Sequence, residues 1–413
     1  MHVLTSRWVL KDKPPLIGST LTRPKARMCI RGFQELDLET LDTFAPTASR
    51  ASWRAVTCAM VNHGWVPKTV DVKNAFLQGE AIDRDVFMSP PKDVLLPPGK
   101  VWKFLKPLYG LGDASQRWHT KAKGIFVGKL KGVQSRIDPA VFIWSRDGVT
   151  IGVLSAHVDD FYFAGTPEWE KFFVENLTRE VELGEVEVGT FRYAGLDVRT
   201  TVTVRGGVTV TADLNDYISR LSSIEIPNHR NPDSVMTPRE LTSYRGLLGG
   251  MLWAATQIDA GSSFNVAELA GHTGDPRVKH LEMANRELAR LRKDPLTLTF
   301  RKLTGNLKVT LFTDASWGNL TKGGSQGGSF TVLAEDREGG LFNPIQWTSR
   351  RLRRNVQSTF GAETLALVKG VDDGLCVAFL INEIYSNPPQ ARQSLPHPRR
   401  HDRQGRFSPL HSF

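Results

Sequence analysis

The sequence predicts an α+β chain followed by a smaller α/β unit, on three observations. Short β-rich runs alternate with helical stretches over 1–230, an amphipathic helical segment fills 231–304, and a second set of strands leads into a helix over 305–385. With 413 residues, 40% hydrophobic and 23% charged, the chain has core material for roughly two or three domains. The remainder, 386–413, is rich in Pro, Arg and His and reads as a basic disordered tail.

In chain order, Asp71 follows a short β-branched run, Thr69-Val70, as a carboxylate at the end of a strand does. Residues 151–158 and 161–164 are apolar strand signals, separated by Asp159 and Asp160 at the spacing of a two-residue hairpin turn. In 232–300, Val278, Leu281, Ala284, Leu288 and Leu291 recur at helical spacing with Lys279, Glu282, Arg286 and Lys293 between them. Strands follow at 308–314 and 329–333. A helix from 359 to about 384 then opens at Ser358 or Thr359 as its cap.

Several classes fall away. No apolar run approaches the ~18 residues of a membrane helix, and Met1 to Arg7 lack a signal peptide's charged and apolar stretches, so an intracellular chain, cytoplasmic or nuclear, is expected. Cys29, Cys58 and Cys376 are too scattered for a disulfide framework or a zinc knuckle. The net charge of +10 suits a nucleic-acid partner without establishing one, and residues 391–413 supply +4 of it. In the body, basic residues cluster at Arg23, Lys25, Arg27 and Arg31, at Arg117, Lys121 and Lys123, and at Arg350, Arg351, Arg353 and Arg354. Such clusters either track a phosphate backbone or face solvent.

Asp159-Asp160 is the most informative dipeptide. Adjacent carboxylates at the tip of an apolar hairpin repel each other, and Asn-Gly or Asp-Gly would turn the chain at lower cost. A magnesium or manganese ion would offset the repulsion, although for the pair taken alone an exposed acidic turn is the more common explanation. With Asp71, three carboxylates from two segments could hold two metals about 3.5–4 Å apart, the arrangement of polymerase and nuclease chemistry.

These segments resemble the reverse transcriptase and ribonuclease H region of Ty1/copia-type retrotransposon polyproteins. The resemblance runs collinearly through Ser6-Arg7-Trp8-Val9-Leu10, Lys25-Ala26-Arg27, Arg31-Gly32-Phe33, Thr43-Phe44-Ala45-Pro46, the stretch 70–79 (VDVKNAFLQG), Leu108-Tyr109-Gly110-Leu111, Asp138-Pro139 and His157-Val158-Asp159-Asp160. It covers about residues 6–385.

The resemblance implies a right-hand polymerase with fingers and palm over 1–230, a helical thumb or connection over 231–304, and an incomplete ribonuclease H-like domain over 305–385. Asp71, Asp159 and Asp160 would be its catalytic, metal-binding triad, with Asp71 and Asp159 ligating both ions and Asp160 supporting them. Phe76 would exclude a ribose 2′-OH, Lys25 and Arg27 would approach the triphosphate, and Tyr109 and Gly110 would line the nucleotide site. Implied partners are an RNA or DNA template with its primer and deoxynucleoside triphosphates, with Mg2+ or Mn2+ as cofactor and no membrane.

Departures are visible. His157 stands where the family has Tyr, and Gly112-Asp113 where a Lys-Gln pair is common, so Asp113 would oppose triphosphate binding if it faced the site. Asp314 and Glu363 resemble two ribonuclease H ligands, but the later Asp-bearing strand is missing. Asp372 and Asp373 lie over two helical turns beyond Glu363, Asp402 falls in the basic tail, and none of them fits the role. Weak or absent hybrid cleavage is therefore expected. The two ends suggest a piece of an element's polyprotein, with a frameshift or mispredicted exon behind the tail. The expected activity is RNA-directed DNA synthesis. A silent remnant that binds nucleic acid is the alternative, and a stand-alone hybrid-cutting nuclease is a third reading.

Overall fold

The computed structural model describes residues 2–13, 21–320 and 323–385. The basic tail at 386–413, with Asp402, lies outside the described residues.

β1 (Val3–Leu4) leads into an antiparallel ribbon of β2 (Ser6–Lys13) and β3 (Arg23–Ile30), in register from Ser6↔Ile30 to Lys13↔Arg23. Helix α1 (Arg50–His63) has residues 52–61 all buried, Ser52, Arg54 and Thr57 among them, as in a helix inside a core. Ser49 caps it by accepting the Ser52 N–H, and Gly64 ends it in the left-handed region at φ 73°. Buried Asp138 accepts from Ser49 N–H (2.8 Å) and Ser52 Oγ (2.6 Å), placing a carboxylate at the helix N-terminus.

β4 (Lys68–Val72) follows, then β5 (Phe87–Met88), β6 (Trp102–Lys103) and α2 (Ala114–Lys123). Next come β7 (Val133–Gln134), β8 (Val141–Arg146), β9 (Val149–His157), β10 (Asp160–Gly165), α3 (Pro167–Glu180) and β11 (Leu183–Val188). Six of these strands form the central sheet, in the order β11-β4-β10-β9-β8-β7, while β1, β5 and β6 make a small separate one. Period-two alternation gives the central sheet two buried faces. Val70, Val72, Phe161, Phe163 and Leu154 pack with Trp118 of α2 and Phe173 of α3. Val141, Ile143, Val153, Tyr162 and Ala164 pack with α1.

The hairpin turn differs from the expected one by a residue. Asp160 pairs with His157, so the two turn residues are Val158 and Asp159, and Asp160 belongs to the strand. Val158 carries φ 59°, a costly conformation for a β-branched residue. Trp118 Nε1 donates to the Val158 carbonyl at 2.7 Å, and Val72 N–H donates to the Asp159 carbonyl at 2.8 Å, which together hold the turn.

A second sheet contains β12 (Thr190–Tyr193), β13 (Leu196–Val202) and β14 (Val208–Asp213), and α4 (Asn215–Arg220) follows. Helices α5 (Pro238–Gln257), α6 (Ser263–Gly271) and α7 (Val278–Lys293) fill most of the expected helical segment; α5 opens with a capping box of Thr237 and Glu240. That segment is not helical to its end. Thr297–Phe300 forms β15, which pairs with β14 and adds a fourth strand to the second sheet. The alternation Thr-Leu-Thr-Phe, with Leu298 and Phe300 buried, is a strand pattern.

β16 (Leu307–Leu320), β17 (Gly324–Glu335) and β18 (Phe342–Arg351) form a three-stranded antiparallel sheet, and α8 (Thr359–Tyr385) lies against β16 and β17. Gly370 sits so close to β16 that a Cβ there would lie 2.5 Å from Thr313 Cγ2. Among the described residues β16 pairs on one side only, and α8 exposes Phe360, Leu367, Val368, Val371, Leu375 and Phe379. The far end of α8 docks on the central sheet, where Glu383 accepts from Ser135 Oγ (2.6 Å) and Thr150 Oγ1 donates to the Ile384 carbonyl (2.6 Å). One buried cluster thus runs from α1 through α5 and α7 to Ile345, Trp347 and Leu380.

Candidate active site

Asp71 is the penultimate residue of β4 and Asp160 opens β10, and antiparallel pairing sets them directly opposite each other, with side chains on one face. His157 lies opposite Asp160 on the same face, one strand further on, and Asp159 stands on the turn beside them. Thr69, two residues before Asp71 and so on its face, donates Oγ1 to Asp160 Oδ1 at 2.6 Å. The Ala194 N–H, in the β12–β13 turn, also reaches the Asp160 carboxylate.

Asp160 is the perturbed member of the group. Burial, with smaller contributions from the Asp71 and Asp159 charges, pushes its carboxyl up to about 7 against the pull of Thr69 and Ala194. Asp71 is exposed and Asp159 half-buried. His157 is held below the ordinary imidazole value by burial, with Asp159 opposing, and its ring lies 6.4 Å from Tyr193, edge-on.

The donor chemistry suits a hard divalent cation: three carboxylates at one corner, one held partly neutral by burial and by its neighbours' charge. Among the described residues, no three His, Cys, Asp or Glu side chains are gathered closely enough to hold an ion as they stand.

Next to the aspartates is an aromatic and basic cluster. Phe76, in the turn after β4, lies 5.1 Å from the Tyr109 ring, and Arg27 of β3 lies 4.9 Å above that ring. Burial raises the Tyr109 phenol; Arg27 opposes it, and the Asp159 and Asp71 charges add to it. Asp71, Asp159, Phe76, Tyr109 and Arg27 therefore share one neighbourhood. Lys25 lies two residues before Arg27 on β3, opposite Lys11.

Gly110 has φ 93°, and its close approach is to the chain's own backbone: a Cβ there would lie 2.1 Å from the Ile30 carbonyl oxygen. Gly32 N–H donates to its carbonyl at 3.1 Å, so this loop is stitched to the end of β3.

Asp113 is engaged by two arginines. It is buried, accepting from Arg117 Nε (2.6 Å) and Arg84 (3.1 Å), while Glu35 also pairs with Arg84. That network engages Arg117, which Asp83 also holds, and so removes it from the set of free basic residues. Asp314 is exposed on β16 opposite Gly328, and Glu363 is half-buried one turn before Ala366, which packs near Gly327. Asp373 pairs with Lys369 and Asp372 is exposed.

Thr69 was legible from its period-two spacing to Asp71. Trp118 and Ala194 come from distant segments and carry no local signal.

A family model described as reverse transcriptase (RNA-dependent DNA polymerase) matches residues 1–238, and the chain belongs to that family. It is 27% identical over 399 residues to the retrovirus-related Pol polyprotein from transposon RE1 of Arabidopsis thaliana, covering 92% of this chain and 26% of that protein. With the corresponding RE2 polyprotein it shares 26% identity, covering 94% of this chain and 27% of that protein. It is 23% identical over 304 residues to the putative transposon Ty5-1 protein of Saccharomyces cerevisiae, covering 69% of this chain and 93% of that one. These matches place it with the Ty1/copia-type retrotransposon reverse transcriptase regions. The chain spans about a quarter of the length of the two Arabidopsis polyproteins. Among solved structures, prototype foamy virus protease-reverse transcriptase aligns over 91% of this chain and 44% of that one, at 11% identity and a TM-score of 0.29.

Proposed function

We propose that this chain is the RNA-directed DNA polymerase region of a copia-type retrotransposon polyprotein, with Asp71, Asp159 and Asp160 as its catalytic carboxylates. The carrying observation is the cross-strand pair Asp71↔Asp160 beside the Asp159 turn, in a chain of the reverse transcriptase family. The primer 3′-oxygen attacks the α-phosphorus of a deoxynucleoside triphosphate, the bond to the β-phosphate breaks, and pyrophosphate leaves.

Asp71 and Asp159 are the accessible carboxylates and hold magnesium or manganese, while Asp160, tied by Thr69 and Ala194, fixes the hairpin and supports them. When bound, the divalent cations stabilise charge on the transferring phosphoryl group and favour the deprotonated primer hydroxyl. Arg27, with Lys25 on the same strand, neutralises the triphosphate, and Arg27's stacking on Tyr109 orients its planar fork. Phe76, against Tyr109, closes the sugar side and excludes a 2′-OH. Among the described residues Asp314 and Glu363 are not joined by a third acid, and weak or absent hybrid cleavage is expected.

A second reading, a nucleic-acid binder that does not synthesise, is favoured by the carboxylates that have not converged. Primer extension on an RNA template with magnesium, manganese or chelator separates the two. Metal-dependent synthesis that Asp159→Asn abolishes, with primer–template binding retained, supports the polymerase. Binding without extension under every condition selects the second reading, and full activity in Asp159→Asn overturns the metal assignment.

A further inference from the structure

Beside the aspartates, a cavity of about 570 Å³ opens between three parts of the chain. His157 and Tyr193 line it from the sheets, Trp253 and Thr256 from α5, and Trp347 and Arg350 from β18. Arg50 and Arg54 of α1 also line it; with Arg350 the lining holds three arginines, of which Arg50 and Arg350 are exposed, and, among the described residues, no Asp or Glu. A wall of that composition suits a polyanion.

β18 is held there by a specific arrangement. Arg54, buried almost completely, donates Nη1 to the Ile345 carbonyl (3.0 Å) and Nη2 to the Thr256 (2.9 Å) and Gln257 (2.8 Å) carbonyls at the C-terminal end of α5. Its guanidinium lies 3.7 Å from the Trp347 ring, and Trp347 Nε1 donates to the Ala255 carbonyl at 2.8 Å. The negative end of the α5 dipole takes the place of a carboxylate partner. Arg54 Nε, also buried, has no hydrogen-bond partner. Three residues along the strand from Trp347, exposed Arg350 projects at the cavity rim, its register fixed opposite Gly327.

We propose that the β16–β18 unit serves as a wall of the polymerase groove: Arg350 contacts a backbone phosphate of the primer–template duplex, and Arg54 and Trp347 are positioning residues that set β18 against α5. The identity of the ligand rests on the polymerase reading; the geometry of the wall does not. The role is independent of any hybrid cleavage, so this unit would contribute without a complete set of nuclease ligands.

The test is equilibrium binding of a labelled DNA primer annealed to an RNA template, by fluorescence anisotropy across a salt series, with the full chain and without metal or nucleotide. Losing one phosphate contact lowers the slope of log K against log salt by about 0.9. Arg350→Gln is expected to show that loss, Trp347→Leu the same loss, and the double variant no further loss. A position that only stabilises the fold would change affinity without this shared, non-additive change of slope. Trp347→Phe, which keeps an aromatic face for Arg54 but removes the Ala255 hydrogen bond, is expected to lie between. If Trp347→Leu does not fold, exposed Arg350 decides the question.

A wild-type slope in Arg350→Gln, or an equal loss in Arg353→Gln, which lies outside the cavity lining, would overturn the wall. A wild-type slope in Arg350→Gln with extension intact would overturn the wall and leave the polymerase reading standing. The expected slope changes in a chain that never extends a primer would uphold the wall and overturn the polymerase.

Discussion

Replacing Arg54 by methionine removes one guanidinium and leaves its surroundings in place. Three carbonyls, of Ile345, Thr256 and Gln257, lose a charged donor, and in a buried site each orphaned acceptor costs about 1 kcal/mol or more. The contact with Trp347 is desolvated and contributes about 2 kcal/mol. Against this gross loss of about 5 kcal/mol stands the relief of no longer burying a charge, a cost visible in the Arg54 pKa, lowered to about 9 chiefly by burial and then by Arg50. Since that relief offsets part of the loss, Arg54→Met should be about 1–3 kcal/mol less stable. Arg54→Lys keeps the charge but cannot reach all three carbonyls, and should fall between. Urea unfolding followed by tryptophan fluorescence and by circular dichroism measures both variants. A loss below about 1 kcal/mol in Arg54→Met would refute the reasoning, because it would mean that the three carbonyls find water and the cluster opens at no cost.

Two further outcomes are specific enough to check. Gly110→Ala should destabilise by about 2 kcal/mol or more, since it combines φ 93° with a 2.1 Å approach to the Ile30 carbonyl, whereas Gly124→Ala, at φ −58° with open space around it, should stabilise by about 0.4–1 kcal/mol; chemical denaturation of the pair tests both signs. His280, buried and stacked 4.0 Å from His272, has its pKa lowered to about 4, mainly by burial and then by His272 and nearby cations. The unfolded chain therefore takes up this proton first. Its contribution is fully present above about pH 6.5 and is lost as the pH falls toward 4, so His280→Gln should flatten the stability–pH curve in that window.

Three of the six strands of the central sheet, β4, β9 and β10, were legible because their apolar runs border the carboxylates of Asp71, Asp159 and Asp160. The register of the hairpin was not. A turn of Asp159-Asp160 and a turn of Val158-Asp159 both place two residues between strands, and the second wins because Trp118 and Val72 hold its carbonyls, contacts that local spacing does not encode. β15 was hidden inside a segment assigned by its helical majority, although Leu298 and Phe300 alternate. Asp113 illustrates a different gap: charge at a position is readable, but its direction depended on Arg84 and Arg117 arriving from elsewhere. Gly110 was expected to line the nucleotide site, and the close backbone approach that its sequence position could not reveal is to Ile30.

The open edge of β16 and the uncovered apolar side of α8 bear on how the protein behaves in the tube. Among the described residues the 14-residue β16 is paired on one side only, so its other edge offers hydrogen bonds to any extended segment, and the phenylalanines at 360 and 379 bracket an exposed apolar strip on α8. Purified alone, the chain should grow stickier with concentration, and heating should convert it to precipitate before it can refold. A lysine introduced at exposed Phe312 and another at Val371 would blunt both features at once, leaving the aspartate corner untouched and giving material that stays in solution for every assay above.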